Sequence, residues 1–328
     1  MRLTFLAAAA LIGTAAAAQS VVQRIAVPDG GWDYVSFDPT SHRVFVGRSD
    51  GVLTVDVTSG KVTPQLVAAT RTHAALALGD TGLGAVTSTA AGGVILFDGA
   101  TGAVKATLPT GPKPDAALFD ARTKTLLVLD NKVGTVTMID PVAAKVTGTV
   151  STGTGGVGAL ESGALDGRGH LFVTVEDGGE IADIDLAAKT VARRIKLAGC
   201  DEPGGLTLTK AGVLIASCAN RVAKVVDAKT GAALGDLAIG NGPDQAAYDP
   251  ARDRAYIPTG RDGMVTVIDT SARMPRVIAT VPGQQGARGG AVDPATGTLW
   301  TIAAKYEPAA AGQRPKAVPG SVEVIGIK

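Results

Sequence analysis

Val133-Gly134-Thr135-Val136-Thr137-Met138-Ile139-Asp140 and Met264-Val265-Thr266-Val267-Ile268-Asp269 read almost as copies of one another. Both are rich in β-branched residues and are bounded by glycine and turn formers, which is how a strand reads. The aspartate that ends them recurs at Asp56, Asp98, Asp185 and Asp227, so the six follow one another at spacings of 42, 42, 45, 42 and 42. A period of that length assembled from strands points to a β-propeller, each repeat being one four-stranded blade.

A polar turn follows each aspartate, as in Val57-Thr58-Ser59-Gly60-Lys61, and an outer strand comes next, as at 104–108 and 146–150. A second landmark lies earlier in the repeat. Asp38-Pro39, Asp249-Pro250 and Asp293-Pro294, with Asp120 and Asp166 lacking the proline, open turns between the first two strands. Aspartate bonds its own backbone there and proline presets φ. These landmarks count seven repeats, the last of which lacks an outer strand. Residues 22–27 resemble the outer strands at 191–197 and 277–281. The expected fold is therefore all-β: a seven-bladed β-propeller with four-stranded blades, its ring closed by the N-terminal strand completing the last blade. Closure removes the exposed edges of an open sheet.

Tyr256-Ile257-Pro258-Thr259 followed by Val265–Asp269 resembles the YVTN repeat. Trp32-Asp33-Tyr34, and Cys200-Asp201-Glu202-Pro203 leading to Cys218, resemble exported YncE-like propellers. The resemblance covers about residues 22–328, although the Tyr-Val-Thr-Asn tetrad never appears whole and repeat five is loose. It implies the fold. Related propellers serve as binding proteins, enzymes and scaffolds, so it leaves the activity open.

Arg2, the apolar run 3–12 and Ala16-Ala17-Ala18 read as a secretory signal peptide over 1–18, too short in its apolar part to span a membrane. Residues 19–328 are then one exported propeller domain, periplasmic or secreted, monomeric and without a transmembrane anchor. Cys200 and Cys218 are the two cysteines. An even count in an exported chain favours a disulfide over two buried thiols. Their places in one blade, in the loop entering it and at the end of its second strand, favour it further. Charge is balanced, 31 basic against 30 acidic residues, with no Lys/Arg cluster in the sequence. Nucleic acid, which needs a basic track, is an unlikely partner.

Antiparallel strands place the loops entering each inner strand on one face, around the mouth of the central channel. Reading those entries gives Asp33, His73, Asp115, Glu161, Glu202, Asp244 and Arg288. An ionisable side chain in every blade marks a funnel that binds a ligand; solvated turn residues are the plainer reading. His73 is expected to act as acid or base, to contact the ligand, or simply to pair with Asp33 or Asp115. His42 and His170 fall on the opposite face. No His/Cys cluster has zinc spacing, so any metal would be a hard cation held by oxygens, Ca²⁺ or Mg²⁺, with Asp33, Asp115, Glu161 and Asp244 as candidate ligands. Residues 305–320 form a long proline-containing loop over the same face, a lid or a tolerated insertion, with Trp32, Tyr306 and Arg314 at the rim. Two motifs are decoys. Gly153–Gly158 and Gly47-Arg48-Ser49-Asp50-Gly51 match dinucleotide and nucleophile-elbow patterns but lack the strand-to-helix context. The expected function is non-catalytic binding of a small molecule or protein partner at the funnel. The alternative is a Ca²⁺- or Mg²⁺-dependent hydrolase or lactonase at the same place, which convergence of three or more carboxylates would favour. Single-strand nucleic-acid binding ranks last.

Overall fold

A computed structural model describes residues 20–153, 160–309, 313 and 315–328. The signal-peptide reading (1–18), most of the Gly153–Gly158 stretch and Arg314 lie outside them. Seven four-stranded antiparallel sheets make up the described fold, with a single 3-10 turn at Gly79–Thr81. Six sheets run in chain order from inner to outer strand. In the seventh, Ala291–Val292, Leu299–Ala303 and Glu323–Ile327 are followed by Val21–Ala26 on the outside. The N-terminal strand therefore closes the ring, and Ser20 and Lys328 exchange backbone hydrogen bonds of 2.7 and 3.0 Å.

Strand position explains strand composition. Middle strands such as Gly93–Asp98 are buried almost throughout, because neighbouring blades cover both faces. Outer strands such as Lys145–Ser151 alternate, since one face meets solvent. The core accordingly lies between blades: Val44, Val46, Leu53 and Val55 of blade 1 pack on Trp300, Ile302 and Val324 of blade 7. The recurring aspartates turn out to be turn caps. Asp56 Oδ1 accepts from the N–H of Thr58 and of Ser59, both at 2.9 Å, and Asp98, Asp140 and Asp185 do the same in their blades. Asp269 shows the electrostatic consequence: donors from the Ser271 backbone, with Arg276 and Arg254 nearby, hold its carboxyl down to about 2.

One irregularity positions the site. In blades 1 to 5 the inner strand pairs normally at its first residue and then slips register, between Trp32/Val35, Thr72/Ala75, Pro114/Ala117, Leu160/Gly163 and Pro203/Leu206. Such a bulge takes residues out of the ladder and re-aims their side chains. The residue just after the first pair is Asp33, His73, Asp115, Glu161 and Gly204 in turn. No helix of the described residues is long and apolar enough to cross a membrane.

Candidate functional site

The bulges of blades 3 and 5 are fastened to the blade before them. Thr87 Oγ1 accepts from the Ala74 N–H at 2.9 Å and donates to the Asp115 carbonyl at 2.7 Å. Thr174 repeats the device between the Ser162 N–H and the Gly204 carbonyl, at 3.0 and 2.8 Å. Blade 1 has Gly47 at this position. A β-carbon there would stand 1.7 Å from the His73 carbonyl oxygen, so the absence of a side chain lets blade 2 close directly on the backbone. In blade 3 the position is apolar Leu129. The Glu161 carbonyl is served instead by the Tyr34 hydroxyl, which reaches it from blade 1 at 2.7 Å.

The side chains so placed form a hydrogen-bonded belt of alternating charge. Arg288 donates through Nε to Asp244 Oδ2 (2.9 Å) and through Nη2 to Asp33 Oδ1 (3.1 Å). His73 Nδ1 faces Asp33 Oδ2 at 2.8 Å and Asp115 Oδ1 at 3.3 Å, while Nε2 meets Thr89 Oγ1 at 3.2 Å. Lys113 Nζ lies 3.9 Å from Asp115 Oδ2 and donates to Asn131 Oδ1 at 2.8 Å. Asn131 Nδ2 donates to Glu161 Oε1 at 2.7 Å, and Glu161 shares a carboxyl–carboxylate hydrogen bond with Glu176. The belt thus runs from blade 6 through blades 7, 1, 2 and 3 to blade 4. It stops at blade 5, where the equivalent residue is Gly204. Glu202 stands two residues before that position, at the rim, with φ 45°.

Low solvation governs the acids. Burial pushes the Asp115 carboxyl up to about 6, with Asp33 adding to the effect and His73 opposing it. Burial, then the neighbouring Asp115 and Glu176 charges, push Glu161 up to about 9. Asp244 is raised by burial against the opposing pull of Arg288. His73 is raised chiefly by its hydrogen bond to Asp33, burial opposing. Beneath the belt, Tyr34 remains a neutral phenol, its pKa raised by burial and by the surrounding acids. Gln245 bridges the channel from the other side, accepting from the Val35 N–H at 3.1 Å and donating to its carbonyl at 3.4 Å.

A cavity of about 890 Å³ opens above the part of the belt formed by blades 6, 7 and 1. Asp244, Arg288 and Arg261 line it together with Trp32 and the long loop's Tyr306, Pro315 and Val318. The base of that loop is a short hairpin, with Tyr306 bridged to Ala317 and Glu307 N–H bonded to Lys316 O at 2.9 Å. Gly320 N–H is tied to Asp29 Oδ2 at 2.8 Å. A side chain on Gly286 would meet the Tyr306 hydroxyl at 2.6 Å, so Tyr306 lies against the entry loop of blade 7.

Metal-ligand geometry is confined. Among the described residues Asp33, His73 and Asp115 form a group whose ligand atoms lie within 4.8 Å of one another. It holds two carboxylates and an imidazole nitrogen, a set better suited to a transition metal than to Ca²⁺ or Mg²⁺. Asp244 is engaged by Arg288, and Glu161 by Asn131 and Glu176. His42 takes no part, and His170 pairs with Asp183 at 2.7 Å, apart from the belt. The cysteines form a disulfide, Cys200–Cys218, in blade 5. The decoy at Gly47–Gly51 is a hairpin in which Arg48 is buried and binds the Pro28 and Asp29 carbonyls, both at 2.6 Å.

Sequence reading missed Tyr34, Lys113, Asn131, Glu176 and Gln245. Asn131 and Glu176 each directly follow a second strand, so a second pass at that repeat position would have found them. Tyr34 and Gln245 act across the channel, which no local pattern reveals.

No protein-family model and no curated protein match the chain. Among solved structures, a chain of the mitotic checkpoint complex crystal structure is similar with a TM-score of 0.76 at 13% identity, over 99% of this chain and 98% of that one. Hydrazine synthase of Kuenenia stuttgartiensis is similar with a TM-score of 0.72 at 16% identity, over 89% and 96%. At such identities the likeness carries the seven-bladed fold alone. That fold often mediates ligand or protein binding.

Proposed function

We propose that this chain is an exported, YncE-like propeller that binds a small polar ligand at the central funnel without transforming it. The observation that carries this reading is the belt itself: six ionisable ring residues, Asp33, His73, Asp115, Glu161, Asp244 and Arg288, meet in one network beside a cavity of about 890 Å³ walled by Trp32 and Tyr306. Such cavities, partly apolar with a few convergent polar groups, are typical ligand sites. Arg288 and Asp244 are the contact residues facing the cavity; His73 and Asp33 hold them in place. The signal sequence over 1–18 and the disulfide support a periplasmic or secreted location, where thiols oxidise. The test is a thermal-shift screen of metabolites followed by calorimetry on the best binder. Asp115→Ala and Asp244→Ala are expected to fold and to lose binding; unchanged affinity in both would sink the funnel reading.

A second reading is favoured by one observation, the Asp33–His73–Asp115 group. With His73 deprotonated, these residues would hold a divalent transition metal able to polarise a carbonyl, as a hydrolase or lactonase requires. Its demand for three convergent carboxylates is not met by that group, and Arg288 and Lys113 already neutralise the two carboxylates present. Elemental analysis of purified protein separates the readings: a stoichiometric divalent ion, lost in Asp33→Asn, would establish the metal site.

A further inference from the structure

Three cations converge on a cleft outside the funnel. Arg71, Lys113 and Lys132 line a cavity of about 620 Å³ between the mouths of blades 2 and 3, with Thr89, Thr110 and Gly111 completing its walls. No acidic side chain lines it. Arginines elsewhere on the ring are mostly spent on carboxylates, as in Arg193–Asp183, Arg252–Asp249 and Arg273–Asp227. Among the described residues Arg71 and Lys132 make no side-chain hydrogen bond or ion pair. Arg71, Thr89 and Lys113 also line an adjoining cavity, which Asp33 and His73 share. Asp115 is screened by Lys113, and Asp130 is fully buried behind Gly111, with Thr135 and Thr137 donating to its Oδ2.

The backbone presents two of these cations at a fixed place. The second residue before each ring position is left-handed in several blades, and blades 6 and 7 fill it with Gly242 and Gly286. The blades flanking the cleft use Arg71 (φ 54°) and Lys113 (φ 60°) instead, despite the strain a β-carbon meets there. Both backbones are held: Arg71 N–H bonds to Ser49 O, and the Arg71 and Lys113 carbonyls accept from Thr89 and Asn131, all at 3.0 Å.

We propose that this cleft binds a small, multiply charged oxyanion, of phosphate or polycarboxylate type. Arg71 and Lys132, two unpaired cations, face one concavity with Lys113, whose charge is shared with Asp115, and together attract an anion carrying two or more charges; a guanidinium and two ammonium groups supply donors to its oxygens. A singly charged carboxylate would leave one of the two unpaired cations unmatched. The site shares Lys113 with the belt and does not depend on the funnel reading.

Isothermal titration of the mature chain with pyrophosphate and with citrate, at fixed ionic strength, tests it and distinguishes the two sources. One saturable site is expected for at least one probe, weakening as salt rises. Arg71→Gly installs the residue that blades 6 and 7 already carry, so it should fold at least as well as the parent while losing about tenfold in affinity, the worth of one charged hydrogen bond. Lys132→Gln should lose a similar factor, and Arg71→Lys should retain most binding. Asp244→Ala should bind the probe as the parent does. No saturable binding of either probe, or parental affinity in both Arg71→Gly and Lys132→Gln, would overturn the proposal. So would loss of binding in Asp244→Ala, which would place the probe in the funnel, or binding confined to a thymidine oligonucleotide.

Discussion

Asp115 lies between His73 and Lys113 with little access to water, and its charge is unwelcome there. Its carboxyl titrates near 6 in the fold and near 3.9 in the unfolded chain. Between those values the folded state holds more protons, so stability falls as pH rises from about 4 to about 6, by up to about 3 kcal/mol. His73 acts in the same direction: its raised pKa contributes stability that is full below about 6.5 and lost as pH climbs through the folded value. Glu161, near 9, extends the decline upward. The turn caps oppose this only in acid, since Asp269 contributes stability present above about 3.9 and lost towards its folded value near 2. The thermal midpoint should therefore peak between about pH 4 and 5 and fall towards pH 9. Calorimetry across that range checks it, and a midpoint rising from pH 5 to 9 would contradict the assignment. Asp115→Asn should flatten the limb between pH 4 and 6 while leaving the acid limb alone.

Strands and their connections carry the next level of control. The Thr87 hydroxyl joins the bulge of blade 2 to the ring residue of blade 3, and Thr87→Val leaves a buried N–H and a buried carbonyl unpaired. A loss of about 2 kcal/mol is expected by denaturant unfolding, accompanied by a changed Asp115 titration. Gly47→Ala should be worse, because a methyl has no room against the His73 carbonyl and backbone must move. The Cys200–Cys218 bond closes a separation of 18 residues, and Cys200→Ser/Cys218→Ser should cost about 3 kcal/mol, read as a lower urea midpoint. This blade also marks where sequence reading slipped. In blades 1, 2, 3 and 6 the residue after the second strand donates to the carbonyl two places before the ring position: Ser49 to Gly31, Thr89 to Arg71, Asn131 to Lys113 and Gly260 to Gly242. In blade 5 Ala219 donates to Asp201, three places before Gly204. Glu202 nevertheless keeps the left-handed place two before the ring position, as Arg71 and Lys113 do, so it stands at the rim, and only the observed register shows that Gly204 is the ring residue. Asp33, Asp115, Glu161, Asp244 and Arg288 were legible because each sits five residues before the aspartate that opens its first turn, Asp38, Asp120, Asp166, Asp249 and Asp293. The partners of Glu161 and Val35 were not, since Tyr34 and Gln245 approach from 127 and 210 residues away in the chain.

At the scale of the whole ring, blade 7 depends on both ends of the chain. Deleting residues 20–27 strips the outer strand from Glu323–Ile327 and bares an edge that is apolar on its buried side. Such edges pair with other molecules, so the truncated chain should sediment as oligomers and melt earlier than the parent. Light scattering beside the thermal scan measures both. The hydrogen bonds between Ser20 and Lys328 carry a further consequence. The polypeptide is nearly a circle, and its break falls within a blade where any bottom-face turn could serve instead. Joining 328 to 20 through a short glycine linker and opening the chain at Ser59-Gly60 should give a circular permutant with the same melting behaviour. Its order of synthesis would differ. In the natural order Val21–Ala26 is made long before its partner Glu323–Ile327, whereas in the permutant the two are joined directly.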